Sequence, residues 1–165
     1  MTNIPDSAHA TFHRGVSAEQ VTLGTGSTAR FVAPGTATQG RFGLFEWQIP
    51  ARTGNTDTHF HKTFSESFYV TSGTVRLYDG SRWVTAGPGD FLHVPEGSAH
   101  GFHNDTDDPA TMLILFAPAP PREAYFRELA EIAAASRTLT DAEWVELWAR
   151  HDQYPAPQTS KRPSG

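Results

Sequence analysis

The stretch "HFHKTFSE", from His59 to Glu66, sets two imidazoles and a carboxylate close together in a β-rich part of the chain. In an extended strand, residues i and i+2 point to the same side. His59 and His61 therefore direct their rings together, and Phe60 points the other way. Glu66 follows a short break, "KTFS", and shares a strand face with Phe68 and Val70. A strand, a bend and an antiparallel neighbour would bring that carboxylate beside the two imidazoles. "GDFLHVPEGSAHGFHN" supplies a fourth candidate, because Pro95 and Gly97 end one strand and His100 opens the next. Taken alone, an HxH pair is more often a surface pair than a site. With Glu66 and His100 it becomes a nitrogen and oxygen donor set without sulfur. Such a set suits Fe, Mn, Ni, Co or Zn, and affinity order alone does not choose among them.

These residues must be positioned by the short β-like runs between Ala29 and Phe116. The runs are "RFVA", "FGLFEWQI", "ESFYV", "TVRLY", "RWVT", "FLHV" and "TMLILF", punctuated by Gly, Pro and Asp. Asp79-Gly80 reads as a hairpin turn, since both residues tolerate positive φ. "AGPGD" and "NDTDDP" are further turns. Frequent turns between short strands favour a sandwich or barrel over βαβ units. The character changes after "APAPP" at 117–121. Tyr125, Phe126, Leu129, Ile132 and Ala133 recur at helical spacing. A second helix is signalled by Thr140 and Glu143, a capping box, with Trp144, Leu147 and Trp148 striped behind it. Both stripes are expected to dock on the barrel or on a neighbouring subunit, in a packing role.

At this point the sequence resembles the cupin superfamily. The first family motif is matched by Gly54, His59, His61, Glu66 and Gly73, and the second by Gly89, Pro95, Gly97, His100 and Asn104. Four residues separate Gly54 from His59, one fewer than in the family's pattern. That glycine shapes a loop, so the slip leaves the ligands alone. The resemblance implies an all-β double-stranded β-helix, the cupin jelly-roll barrel, with a C-terminal helical extension. Residues 1–28 then form an N-terminal extension, 29–117 the barrel, 118–152 the helices and 153–165 a disordered tail. It further implies that His59, His61, Glu66 and His100 hold a divalent transition metal.

Within that superfamily, the chain is similar to the single-domain, quercetinase-like flavonol 2,4-dioxygenases. This implies an apolar aromatic substrate whose ionised hydroxyl binds the metal, Glu66 as ligand and base, and attack by dioxygen on the ring. The base role calls for a Glu66 pKa raised by burial in an apolar cavity. The same ligands would equally serve a non-redox isomerase, cyclase or lyase, with the metal polarising a carbonyl or enolate. Small-molecule binding without turnover is a third possibility.

Other histidines divide by position. His93 shares a strand face with Phe91, and either lines the pocket as an acid or base or is packed or solvent-facing. His103 is read as structural, and His9, His13 and His151 lie outside the barrel. Phe45, Trp47, Phe68, Phe91 and Phe102 are expected in the core, where so aromatic an interior favours a planar apolar ligand. At 165 residues, the chain suits one domain with a real core. A net charge of −5, with Lys62 and Lys161 the only lysines, argues against nucleic acid. The absence of cysteine excludes disulfides and thiolate ligands. No apolar run approaches a membrane span and the N-terminus lacks a signal-peptide core, so a cytoplasmic protein is expected. Outer-face aromatics such as Tyr69 and Tyr78 suggest a homodimer.

Overall fold

The computed structural model describes residues 9–55 and 57–157. Strands β1 (Gln20–Thr22), β2 (Thr28–Ala33), β3 (Gly43–Ile49), β4 (Thr53–Gly54) and β5 (His59–Phe60) come first. They are followed by β6 (Ser65–Ser72), β7 (Val75–Tyr78), β8 (Trp83–Ala86), β9 (Phe91–Val94), β10 (Gly101–Asn104) and β11 (Ala110–Ala117). Helices α1 (Arg122–Ala134) and α2 (Asp141–Arg150) and the short strand β12 (Tyr154–Pro155) complete the order. The pairing is antiparallel throughout. One sheet runs β1-β2-β3-β11-β6-β9, a second β4-β10-β7-β8, and β12 pairs with β5. This is the expected all-β jelly roll with helices at its C-terminal end.

Strict alternation makes the main sheet one-sided. Phe45, Trp47 and Ile49 of β3 and Met112, Ile114 and Phe116 of β11 are all buried, as are Glu66, Phe68 and Val70 of β6. Fully burying each large apolar side chain contributes about 1.5–3 kcal/mol. Phe126 of α1 joins this face, its ring centroid 5.3 Å from Phe45 and 5.0 Å from Trp47, both edge-on. The capping box of α2 forms as the sequence predicts: Thr140 Oγ1 accepts from the Glu143 amide, and the Glu143 carboxylate accepts from the Thr140 amide. Among the described residues, no helix is long and apolar enough to cross a membrane.

Four expectations need correction. The main sheet begins at β1, inside the stretch assigned to an N-terminal extension, because Gln20–Thr22 pairs with Thr28–Arg30. Part of the stretch assigned to a disordered tail is also ordered: Tyr154 pairs with Phe60 and Pro155 with His59. The rest of that tail, residues 158–165, lies outside the described residues. Tyr78 is buried against Trp83 and offers no outer-face aromatic. Phe91 sits on the edge strand β9 with 64% of its surface exposed, so it is not a core residue.

The motif glycines have steric reasons. Gly54, at φ +99°, lies against β10, where a Cβ would meet the Cβ of His103 at 2.8 Å. It therefore belongs to a strand pairing as well as to a loop. Gly73 ends β6 at φ +71°, and a Cβ there would meet Pro109 O at 2.5 Å and Ala110 Cα at 2.8 Å. Gly73→Ala should lower the denaturation midpoint, with a cost exceeding the ~1–2 kcal/mol of a left-handed non-glycine residue alone. Gly87→Ala, with open space around it and no positive φ, should be neutral or slightly stabilising. Equal midpoints for the two variants in urea would contradict this steric reading.

Candidate metal centre

Three segments converge to build the site. His59 and His100 face each other in an isolated antiparallel bridge, with His59 N donating to His100 O at 2.9 Å and His100 N to His59 O at 2.8 Å. Residues directly opposite one another in such a pair project to the same side, and the two imidazole centroids lie 4.4 Å apart. His61 stands just beyond the end of β5, so strand alternation alone does not aim it. Its carbonyl accepts from Gly97 N at 2.7 Å, which ties it to the turn ahead of His100. Glu66 rises from the inner face of β6, between neighbours β11 and β9. One donor atom from each of the four residues lies within 4.8 Å of the others.

The arrangement fits a metal ion on donor chemistry. His61 Nδ1 donates to Asp152 O at 2.6 Å, and His100 Nδ1 donates to Ser98 O at 3.0 Å. A carbonyl only accepts, so each Nδ1 carries the hydrogen and each Nε2 is left to face inward. Both Nε2 atoms converge on Glu66 Oε2, at 2.9 Å from His61 and 2.8 Å from His100. With neutral rings, this would set two lone pairs against a carboxylate oxygen in a buried box. A cation must resolve the conflict, either a proton on a ring or a metal ion.

The electrostatics agree. Burial alone would raise the Glu66 carboxyl, but the charge and hydrogen bond of His100, followed by those of His61, hold it well below the usual carboxylate range. This reverses the expectation that burial leaves Glu66 with a raised pKa. Burial lowers the His100 ring, and the charge and hydrogen bond of Glu66 more than offset that and leave it raised. Burial, with the charge of His100 next, holds His59 well below the ordinary imidazole value. A bound metal would supply positive charge to the carboxylate from the same side as the two rings.

A cavity of about 800 Å³ adjoins this box. His61, Glu66 and His100 are 2%, 4% and 1% exposed, whereas His59 lines the cavity and is its contact with the donor set. Trp47, Ile49 and Phe102 come from the barrel, Tyr125, Leu129 and Ile132 from α1, and Trp144 and Trp148 from α2. The helices therefore do more than pack, since they form a wall of the cavity. His93 lies on the outer face, its Nδ1 2.9 Å from Ser67 Oγ, away from Glu66. His103 packs edge-on against Trp83 at 4.6 Å, in keeping with a structural role.

Two residues escaped the sequence reading. Asp152 holds His61 from a distance of 91 positions along the chain, and no motif spacing marks it. Arg122 is only 4% exposed, lies 4.3 Å from the Tyr125 ring centroid, and donates to His151 O and Gln153 Oε1. A lone arginine opening a helix gives no signal of such a role.

Comparison with known proteins agrees with this geometry. Residues 45–116 match the family model described as "Cupin domain". Over 106 residues, 64% of the chain, the sequence is 27% identical to the quercetin 2,3-dioxygenase of Bacillus subtilis (strain 168). The curated relatives it matches are spanned to only 31% and 61% of their own length. Among solved structures, a sugar phosphate isomerase of Silicibacter pomeroyi is 25% identical, with a TM-score of 0.55 over 64% of this chain and 74% of that one. The polyketide cyclase RemF of Streptomyces resistomycificus is 22% identical, with a TM-score of 0.55 over 65% of this chain and 78% of the cyclase, a likeness of fold. With its motifs, its antiparallel jelly roll and the matched family model, residues 45–116 of the chain form a cupin domain.

Proposed function

We propose that the chain is a metal-dependent dioxygenase that cleaves a planar, enolisable aromatic substrate such as a flavonol, with His59, His61, Glu66 and His100 as metal ligands. One observation carries this reading: a buried three-histidine, one-glutamate box meets a large apolar cavity through His59. When bound, a divalent metal supplies the Lewis acidity that favours ionisation of a substrate hydroxyl beside it. The aromatic lining, Trp47 and Phe102 of the barrel with Trp144 and Trp148 of α2, suits a flat apolar ligand. Glu66, held in its ionised form, is ready to accept the hydroxyl proton. Its low proton affinity means that transfer depends on an acidic substrate. The similarity to a quercetin dioxygenase supports this choice of substrate class.

A non-redox isomerase or cyclase is the second reading, favoured by the likeness to the sugar phosphate isomerase. A sugar phosphate would call for cationic groups in the cavity. Among the described lining residues, Arg137 is the one arginine or lysine, and it is engaged by Glu143. The apolar aromatic substrate is the better fit. We also infer a homodimer, because Tyr69 and Phe91 lie side by side on β6 and the edge strand β9, 44% and 64% exposed.

Four measurements follow. His61→Ala and His100→Ala should lose most bound metal by elemental analysis yet keep the wild-type circular dichroism, since the apolar strands supply the core. Full occupancy in either variant would refute the ligand set. Protein loaded separately with Fe, Mn, Ni, Co and Zn should consume dioxygen as it consumes quercetin with at least one of them. Glu66→Gln should then be about 10²- to 10⁴-fold slower at saturating metal, with partial rescue as pH rises past the hydroxyl pKa. Full activity of that variant at neutral pH would remove the base role, and turnover without oxygen uptake would favour the Lewis-acid reading. Light scattering at micromolar concentration should give twice the 18.1 kDa chain mass; a particle of 18.1 kDa would contradict the dimer.

A further inference from the structure

His61 is the ligand that its own strand does not hold. It follows the last residue of β5 and opens the bend leading to β6. A ligand in a bend needs its ring fixed from elsewhere, because a ligating histidine depends on the partner of its other nitrogen for tautomer and orientation. That partner is Asp152, immediately beyond the C-terminal end of α2.

We propose that Asp152 is a positioning residue for the metal site, and that the strap from His151 to Ala156 sets His61 and couples the ligand bend to the cavity-walling helices. The inference rests on the metal reading given above. Its basis is the number of bonds that converge on one side chain and one carbonyl. Asp152 O takes the His61 Nδ1 hydrogen at 2.6 Å. Its carboxylate accepts from Lys62 N at 3.0 Å, Thr63 N at 2.9 Å and Thr63 Oγ1 at 2.6 Å. The same residue thus orients the ring and satisfies the backbone donors of the bend that carries it.

The strap is anchored on both sides of Asp152. Downstream, Tyr154 and Pro155 pair with Phe60 and His59, and Ala156 N donates to Thr58 O at 2.9 Å. Alongside, buried Arg122 of α1 grips His151 O at 3.2 Å and Gln153 Oε1 at 3.1 Å. Asp152 itself has φ +53°, a left-handed conformation that aspartate tolerates better than most residues and that redirects the chain after α2. The two ends of one short segment therefore touch the ligand strand and the first helix.

The test uses the full-length protein, stripped of metal, with cobalt(II) alone as the probe. Affinity is read by competition with a chelator and ligand geometry by the visible absorption bands. Asp152→Gly keeps the backbone conformation accessible and removes the carboxylate. Asp152→Asn keeps the shape and one acceptor oxygen, and it carries the test if the glycine variant does not fold. Val75→Ala, on a strand that bears none of the four ligands, supplies a destabilised control. Asp152→Gly should weaken cobalt binding about 10- to 100-fold and shift the bands, Asp152→Asn should do so less, and Val75→Ala should leave both unchanged. Wild-type affinity and bands in both Asp152 variants would overturn the proposal. An equal loss of affinity in Val75→Ala at an equal fall in melting temperature would overturn it too. Wild-type protein that binds no cobalt would overturn the metal reading, and this inference with it.

Discussion

Glu66 Oε2 lies within hydrogen-bond distance of two imidazole nitrogens whose opposite ring nitrogens already donate to carbonyls, and all of this is shielded from solvent. That contact is the constraint on which the rest of the molecule depends. A buried carboxylate costs several kcal/mol unless it is matched by positive charge. The histidines match it only if a cation is shared among them. The barrel must therefore place three separate segments to within fractions of an ångström, and it does so with backbone pairing: the His59–His100 bridge, the Gly97–His61 bond and the central position of β6.

The helices become intelligible from the same constraint. A donor box open to solvent would give up much of its electrostatic strength to water. In this chain His59 faces a cavity that α1 and α2 help to line. Phe126 plugs α1 into the aromatic face of the main sheet, and Trp144 and Trp148 of α2 stack 5.6 Å apart in the cavity lining. The strap after α2 then returns to the ligand strand. Fold, cavity and ligand geometry are thus linked through a few contacts between the C-terminal segment and residues 58–63.

Much of this was legible in the sequence, for physical reasons. The short β-like runs became strands, with period-two alternation clearest in β3 and β11, and the motif spacing picked out His59, His61, Glu66 and His100, which the fold brings together. The α2 start was readable from Thr140 and Glu143 because capping is local chemistry. What the sequence hid was non-local or too short to show a period. The strands β1, β4 and β12 have two or three residues each and exist only through their partners. Asp152 and Arg122 act through carbonyls and loops brought together by the fold, so nothing in their neighbours marks them. Burial alone would raise the Glu66 carboxyl, and it is the close contact with His100 and His61, a distance that motif spacing does not give, that reverses the direction.

Anomalous X-ray scattering from crystals of metal-loaded protein, recorded at the absorption edge of the metal supplied, tests the central claim most directly. The account predicts a single strong peak inside the box, about 2.0–2.2 Å from one donor atom each of His59, His61, Glu66 and His100. A folded barrel with no peak there, or with the metal bound at a different set of side chains, would contradict it.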